Sequence, residues 1–506
     1  MLQEHEVEAS PAVRLPSVYR DPVTWAIVVV AFGAYTVISL FRLLQLDPSS
    51  WDLGIFTEYV KQYAHFHAPI VDIRGAGTNL WGDHFSPAVA AVAPFFRVFP
   101  AAGTLLVAQA LLVAASVFPV AQAARALTGL GPARAIAFAY GFCWGLQQMI
   151  NFDFHEIAIA VPLLAFSLSA LIQGRVRATV CWALPLVFVK EDQGFTVAAI
   201  GFYLLMSGLR TEVSDRAKVR AGEFLMIWGV AWSFLAIAVI IPHFNASHTY
   251  YYWGDGGAFA PGGHPSAGAL ISQFFHAWPQ KLQTLVLLLL PTAFVALRSP
   301  VALIALPSLG LRYESTNSAY WGTAWHYNAT VMPILFAAAI DGLVRLRASR
   351  DGASLSWEAL ASGRLGWRRA ALAGAERYGA AMMVAVTVPF AFQYPISGLW
   401  SGQTYRISPH VAADNAAMAE VPDGASVLTP LDMLAPLGAR TDTYWIGNRG
   451  NPDTEYIVFD GPDSGYSTPI ANVPSFIASL YPGNVYTQIF ADNGVYVFRL
   501  THMPAR

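Results

Sequence analysis

The sequence predicts an α-helical polytopic membrane protein of about 11 transmembrane helices, followed by a small external α/β domain. Three observations predict this. Of the 506 residues, 55% are hydrophobic and only 12% are charged, about half the ~25% charged fraction of soluble domains. Several separate apolar runs are each long enough for a hydrocarbon core of ~30 Å, which takes ~20 helical residues. From Thr404 onward the composition shifts to short strand-like segments and turns. The same composition excludes other classes. With 30 Lys+Arg against 32 Asp+Glu, no basic field exists to hold nucleic acid by neutralising its phosphates. Cys143 and Cys181, the two cysteines, both lie in apolar stretches, so neither a disulfide framework nor a Cys-based zinc site is expected.

Residues 1–22 are polar, with Glu4, Glu6, Glu8, Arg14 and Arg20, and read as a cytoplasmic segment. The run Val23–Leu44 is too long for a signal-peptide core and reads as an uncleaved span. Further spans are expected at Ala101–Ala124, Pro132–Ile150, Ile157–Ile172, Thr179–Val189, Gly194–Ser207, Phe224–Ile241, Leu282–Leu297, Pro300–Leu311, Tyr327–Val344 and Gly379–Ser397, eleven in all. Phe85–Phe99 reads as one more span or a re-entrant element. Positive loops stay cytoplasmic. With the N-terminus inside, every cationic cluster falls on that side, from Arg125 and Arg134 to the run Arg345–Arg377, a polar linker with a short amphipathic helix. The opposite loops are acidic or aromatic, and the tail from Ser401 holds five Arg against ten Asp+Glu. An odd span count places that tail outside a bacterial cytoplasmic membrane. The expected organisation is therefore 1–22 cytoplasmic, 23–400 transmembrane and 401–506 external α/β. In the last of these, Ser408-Pro409 opens a helix through about Glu420. Ser426–Thr429, Tyr456–Phe459, Val485–Phe490 and Val495–Leu500 read as strands, with Asp492-Asn493-Gly494 as a hairpin turn.

Ionisable groups at membrane depth or at its edge are costly, so clusters there are candidate sites. All of them fall on the external side. Asp52, in Ser50-Trp51-Asp52-Leu53-Gly54-Ile55-Phe56, follows the first span and opens an amphipathic stretch that suits the interface; it reads as a helix cap or as a catalytic carboxylate. Asp83-His84 and Asp153-Phe154-His155-Glu156 each set carboxylate and imidazole within two residues, which suits proton transfer or a divalent cation. Helix capping and interface anchoring are the alternatives, and neither spacing is a recognised metal signature. Lys190-Glu191-Asp192 interrupts apolar sequence where a tight loop would prefer Gly, Asn or Ser. It reads as a self-paired Lys–Glu bridge at the surface or as a site wall in which Lys190 meets an anion. Arg312-Tyr313-Glu314 and Trp325-His326-Tyr327 flank another external loop. A guanidinium binds phosphate bidentately, so Arg312 reads as a phosphate ligand or as an interface anchor. The loop Pro242–Lys281 adds His243, His248, Tyr250, Tyr251, Tyr252, Trp253 and Asp255, aromatics that serve equally as membrane belt or sugar-stacking surface.

Taken together, Trp51-Asp52-Leu53-Gly54-Ile55-Phe56, Gly82-Asp83-His84-Phe85-Ser86-Pro87, Phe152-Asp153-Phe154-His155-Glu156 and Val189-Lys190-Glu191-Asp192 resemble the motifs of a bacterial family of predicted membrane proteins of unassigned function, grouped with the GT-C membrane glycosyltransferases. The resemblance runs from about Val23 to Leu500. It implies a GT-C-like transmembrane domain and a transferase that takes a sugar from a polyprenyl-phosphate donor among the membrane lipids. The acceptor would be a glycan, lipid or protein of the cell envelope, outside the membrane. It also implies that Asp52 is the catalytic base, with Asp83, His84, Asp153, His155, Glu156, Lys190, Glu191, Asp192, Arg312, Glu314 and His326 as substrate-binding candidates. A divalent cation is a candidate cofactor without an assigned ligand set; many GT-C enzymes carry two adjacent acids in the first external loop, whereas Leu53 follows Asp52, a departure that counts against metal dependence. The rival class is a transporter or flippase for a lipid-linked precursor, because buried charges also mark substrate paths; paired halves with broken helices are not evident. A third reading is a non-catalytic envelope scaffold or an enzyme that has lost activity.

Overall fold

The computed structural model describes residues 18–210, 215–250, 252, 267–351, 364–462 and 470–503. Tyr251, Trp253 and Asp255 of the aromatic loop lie outside the described residues, as do residues 352–363 of the polar linker. The first span, α1 (Pro22–Leu44), starts where Asp21 accepts from the Thr24 amide at 3.2 Å and from its hydroxyl at 2.8 Å, with Pro22 in the first turn. Such a cap satisfies amides that have no helical partner. The same carboxylate meets Arg134, which ties the start of α1 to a later helix on the side expected to be cytoplasmic. The buried face of α1 carries Ile27, Val28, Ala31, Tyr35 and Ile38.

Next come α2 (Asp52–Ala64), α3 (Ala93–Val98), α4 (Ala102–Ala115), α5 (Val117–Thr128), α6 (Leu130–Gly141), α7 (Trp144–Asn151), α8 (Ile157–Ile172), α9 (Val176–Ala183), α10 (Gln193–Leu209) and α11 (Arg216–Leu235). They are followed by α12 (Ile241–Phe244), α13 (Ala267–Phe275), α14 (Trp278–Leu289), α15 (Leu306–Glu314), α16 (Val331–Asp351) and a helix at Arg364–Phe390. Helix occupies all eleven expected windows. Among the described residues, four stretches are long and apolar enough to cross a membrane by length and composition: Pro22–Leu44, Ala102–Thr128, Arg216–Phe244 and His326–Ser349. Several other windows are interrupted. Leu282–Leu297 and Pro300–Leu311 flank a chain reversal in which Ala293 and Phe294 take positive φ. Pro291 and Pro300 explain the break, since each removes a helix donor. Phe85–Phe99 folds as a 3₁₀ turn, Pro87–Val92, followed by the six-residue α3. That is too short for a straight span.

Helices α10 and α11 form the closest pair. A Cβ at Gly194 would lie 2.2 Å from the Gly229 carbonyl oxygen, and one at Gly201 would lie 2.7 Å from that of Gly222. Glycines seven residues apart on both helices thus let the backbones touch, the small-residue packing that replaces hydrophobic drive within lipid.

The C-terminal region is α/β, as expected. Ser408 caps the helix Pro409–Ala419, its hydroxyl accepting from the Val411 amide at 3.1 Å. Five strands, β1 (Ser426–Thr429), β2 (Asp442–Trp445), β3 (Tyr456–Asp460), β4 (Val485–Asp492) and β5 (Val495–His502), form one sheet in the order β2-β1-β3-β5-β4. β1 runs parallel to β2 and β3, while β5 is antiparallel to β3 and β4. Asn493 and Gly494 both take positive φ in the β4–β5 turn, which explains why that dipeptide marks the hairpin. This domain docks on α2. A Cβ at Gly54 would lie 2.8 Å from Leu434 Cβ, Lys61 Nζ donates to the Thr441 carbonyl at 2.8 Å, and Trp51 meets Trp445 edge-on at 4.8 Å. The α2 core continues through Leu434, Ala435 and Ala439.

Candidate active site

Loops that leave α1, α7, the 3₁₀ turn Leu184–Phe188 and α15 converge beside the start of α2. At the end of α7 the chain reverses through Asp153, which takes φ +74°. Gln109 on α4 holds the reversal, donating to the Asp153 carbonyl at 2.5 Å and accepting from the His155 amide at 3.1 Å. The Asp153 carboxylate accepts from the Ser49 amide at 2.8 Å and lies 3.4 Å from Arg42, which also donates to the Asn151 carbonyl. Burial pushes its pKa up to about 6 against the pull of Arg42. Asp153 therefore positions the segment that carries Asp52.

The next two residues of the motif face a different set of partners. His155 Nδ1 lies 2.6 Å from Glu156 Oε2, and Lys190 Nζ lies 3.0 Å from Glu156 Oε1. Glu156 is fully buried, and although burial alone would raise its pKa, His155 and Lys190 together hold it well below the usual carboxylate range. The His155 ring stacks on His326 at 3.6 Å. His326 is buried, and among the described residues neither of its ring nitrogens has a hydrogen-bond partner. Trp325, beside it, takes φ +68°, a costly backbone state for a bulky residue and one found at functional sites.

Glu191 faces away from Lys190. Its carboxylate lies 2.7 Å from His84 Nδ1, accepts from the Phe85 amide at 3.2 Å and accepts from the Tyr250 hydroxyl at 3.0 Å. The neighbouring Asp83 pairs with Arg74 at 3.1 Å and accepts from the Tyr252 hydroxyl at 3.0 Å, while Tyr252 stacks on His84. The surface Lys190–Glu191 bridge is thus replaced by two buried partnerships with residues 34 and 107 positions away. Burial raises the pKa of Asp192, opposed by Lys190.

A cavity of about 180 Å³ opens between these loops, with His84, Lys190, Glu191, Asp192, Arg312, Glu314, Tyr320 and Tyr327 in its wall. Arg312 is buried and donates to the Tyr320 carbonyl at 3.0 Å, the Tyr327 carbonyl at 3.0 Å and Asn328 Oδ1 at 3.1 Å. Among the described residues no carboxylate lies within ion-pair distance of it. Burial pushes its pKa down to about 10. The cavity thus brings together six of the twelve expected site residues. Asp83, His155, Glu156 and His326 contact or adjoin its wall residues, while Asp153 holds the segment that leads to Asp52.

Asp52 is not in the wall either. It is the first residue of α2, beside the cavity and near enough for the charges of His155, Glu156 and Lys190 to act on it; burial raises its pKa, with His155 opposing. The capping reading needs correction, because Trp51 is the N-cap residue and makes no side-chain cap bond, and it is the Ser50 hydroxyl that accepts from the Asp52 amide at 3.0 Å. Two contributors were not foreseen. Gln109, a polar residue inside an apolar run, braces the Asp153 turn. Arg74, with Lys61 one of two Lys or Arg residues in a loop expected to be external, runs against the positive-inside rule, and that exception was the available signal. Among the described residues, the three-membered group of metal-ligand type lies in the C-terminal domain, away from this cavity.

Comparison with known proteins agrees with this architecture. The structure aligns with that of ArnT from Cupriavidus metallidurans bound to undecaprenyl phosphate, at 14% identity over 96% of this chain and 98% of that one, with a TM-score of 0.53. It also aligns with the Archaeoglobus fulgidus oligosaccharyltransferase in complex with Zn and sulfate, at 14% identity over 94% of this chain and 73% of that one, with a TM-score of 0.41. No curated protein matches the sequence. The fold is GT-C-like, as the motifs imply. Residues 42–469 match the model of the predicted membrane protein family DUF2079, and the chain belongs to that family.

Proposed function

We propose that this protein is a membrane glycosyltransferase that moves a sugar from a polyprenyl-phosphate donor to an acceptor of the cell envelope outside the cytoplasmic membrane. The observation that carries the reading is the cavity beside Asp52, whose wall holds Lys190 and the buried guanidinium of Arg312, which has no carboxylate partner among the described residues. A buried cation solvated only by carbonyl and amide oxygens favours an anionic ligand. A phosphate at the head of a lipid fits that demand and the apolar surroundings. The ArnT structure that shares the fold holds undecaprenyl phosphate.

In this mechanism the acceptor hydroxyl oxygen attacks the anomeric carbon and passes its proton to the Asp52 carboxylate. The bond between that carbon and the phosphate oxygen breaks, and the lipid phosphate leaves with the electron pair. Lys190 and Arg312 balance the charge that develops on it. Burial gives Asp52 a raised pKa, closer to the value that suits a base at neutral pH. The N-terminus is inside and the C-terminal domain, docked on α2, is outside, so donor and acceptor meet at the outer leaflet.

The test is binding of undecaprenyl phosphate to the full chain in detergent, wild type against Arg312→Gln. Loss of a charge-assisted hydrogen bond, ~1.5–3 kcal/mol, weakens binding about tenfold or more. Equal affinity in the two proteins contradicts the assignment. Formation of glycosylated product from a polyprenyl-phosphate sugar then separates transfer from transport, since a flippase moves the lipid without cleaving it.

A further inference from the structure

We propose that His410, Asp414 and Asp460 of the C-terminal domain form a site for a divalent metal ion of the zinc class. This proposal is independent of the glycosyltransferase reading. His410 and Asp414 stand one turn apart on the helix Pro409–Ala419 and so share a face, while Asp460 ends β3. One ligand atom from each of the three lies within 4.8 Å of the others. His410 Nε2 is 2.9 Å from Asp460 Oδ2 and 3.8 Å from Asp414 Oδ2. A tetrahedral zinc ion with bonds of roughly 2.0–2.2 Å requires ligand atoms roughly 3.4 Å apart, between these two separations.

The tautomer supports the same conclusion. His410 Nδ1 lies 3.0 Å from the Asn493 carbonyl oxygen, which can only accept, so Nδ1 carries the hydrogen. Nε2 then faces the two carboxylates, 2.9 Å from Asp460 Oδ2 and 3.8 Å from Asp414 Oδ2. Backbone-anchored Nδ1–H with Nε2 turned inward is the arrangement that orients metal-bound histidines. Three protein ligands leave a fourth position for water in a tetrahedral site.

The bound ion would join the helix Pro409–Ala419 to β3, beside the His410 Nδ1 hydrogen bond that already ties this helix to the β4–β5 turn. That helix matters to the rest of the protein, because Leu46, in the segment leading to Asp52, packs on the core that contains Ala413 and Ala417. The metal would thereby brace the contact between the C-terminal domain and the first external loop.

The experiment uses the full chain in detergent, stripped with a chelator and dialysed against zinc, with bound metal counted by mass spectrometry and melting followed with and without EDTA. Wild type should retain about one zinc per chain, and EDTA should lower its melting temperature reversibly. His410→Gln and Asp414→Asn should each lose the metal and the EDTA effect. Wild type without stoichiometric zinc and without an EDTA effect overturns the proposal in favour of an imidazolium bridge. Zinc retained undiminished by both variants also overturns it, because the metal then sits elsewhere. Should the variants fail to fold, the zinc-reversible EDTA effect on wild type, together with the ligand-field spectrum of the cobalt-substituted protein, decides: a nitrogen–oxygen tetrahedral spectrum supports the site, and its absence refutes it.

Discussion

Lys190 Nζ sits 3.0 Å from Glu156 Oε1, so two charges that interrupt different apolar runs of the sequence meet inside the protein. The pair joins the loop after α7 to the loop before α10. With Glu156 fully buried, removing the ammonium leaves the carboxylate with His155 alone. Removing one partner of a buried pair costs roughly 3–5 kcal/mol. Glu156→Gln and Lys190→Met should each lower stability by that order, and the double variant should lose much less than the sum. A denaturation cycle in detergent measures this, and additive losses would mean that the two charges act independently. The double variant is also the better tool for asking whether Lys190 binds phosphate, since it removes the cation together with the carboxylate it pairs with.

Glu58 gives a pH-dependent prediction. It lies on the buried face of α2 and accepts from the Ile73 amide at 3.1 Å; burial raises its pKa to about 7, with Lys61 opposing. A carboxyl whose folded pKa exceeds its unfolded value binds more protons in the native state. Its contribution is therefore present at low pH and is lost as pH rises from about 4.5 to about 7. Glu58→Gln keeps an acceptor for Ile73. The variant should match wild type near pH 4.5 and be the more stable protein above pH 7, by at most about 3 kcal/mol. Parallel stability curves across that window would refute the assignment.

Topology is tested by chemistry on the surface. Ala416 in the C-terminal domain and Ala348 near the end of α16 are both exposed. Single cysteines at these positions, in a background with the exposed Cys181 and Cys143 replaced by Ala, should label oppositely with an impermeant thiol reagent. Ala416→Cys should react in intact cells and Ala348→Cys only after lysis. Labelling of Ala348→Cys in intact cells would reverse the orientation.

Much of the fold was legible because its signals are local. Apolar runs mark helices, Ser408-Pro409 marks a helix start, and Asn493-Gly494 marks a hairpin. Strand β2 was missed because Asp442–Trp445 is four residues long and lacks clear alternation, and only pairing with β1 makes it a strand. The interruptions near Pro291 and Pro300 are readable from proline chemistry, but the reversal at Ala293 and Phe294 depends on tertiary packing. At the site, the charged motifs announced themselves by their cost in an apolar chain. Their partners did not, because nothing in the Lys190-Glu191-Asp192 tripeptide says that Lys190 pairs with Glu156 and Glu191 with His84. Asp52 was found as an acid that follows the first span and opens an amphipathic stretch, yet only the three-dimensional arrangement sets it beside the cavity and puts Asp192 in the wall.

That difference leads to the most direct test of the proposed transfer reaction, a comparison of Asp52→Asn with Asp192→Asn. Membranes containing each variant would be supplied with a panel of undecaprenyl-phosphate-linked sugars labelled in the sugar, and label reaching envelope acceptors would be measured alongside melting in detergent. General acid–base catalysis contributes ~10²–10⁴-fold. Asp52→Asn should lose transfer in that range with its melting temperature nearly unchanged, and Asp192→Asn should retain more activity. Wild-type turnover by Asp52→Asn, particularly with transfer abolished in Asp192→Asn, would contradict the account and move the base to the cavity wall.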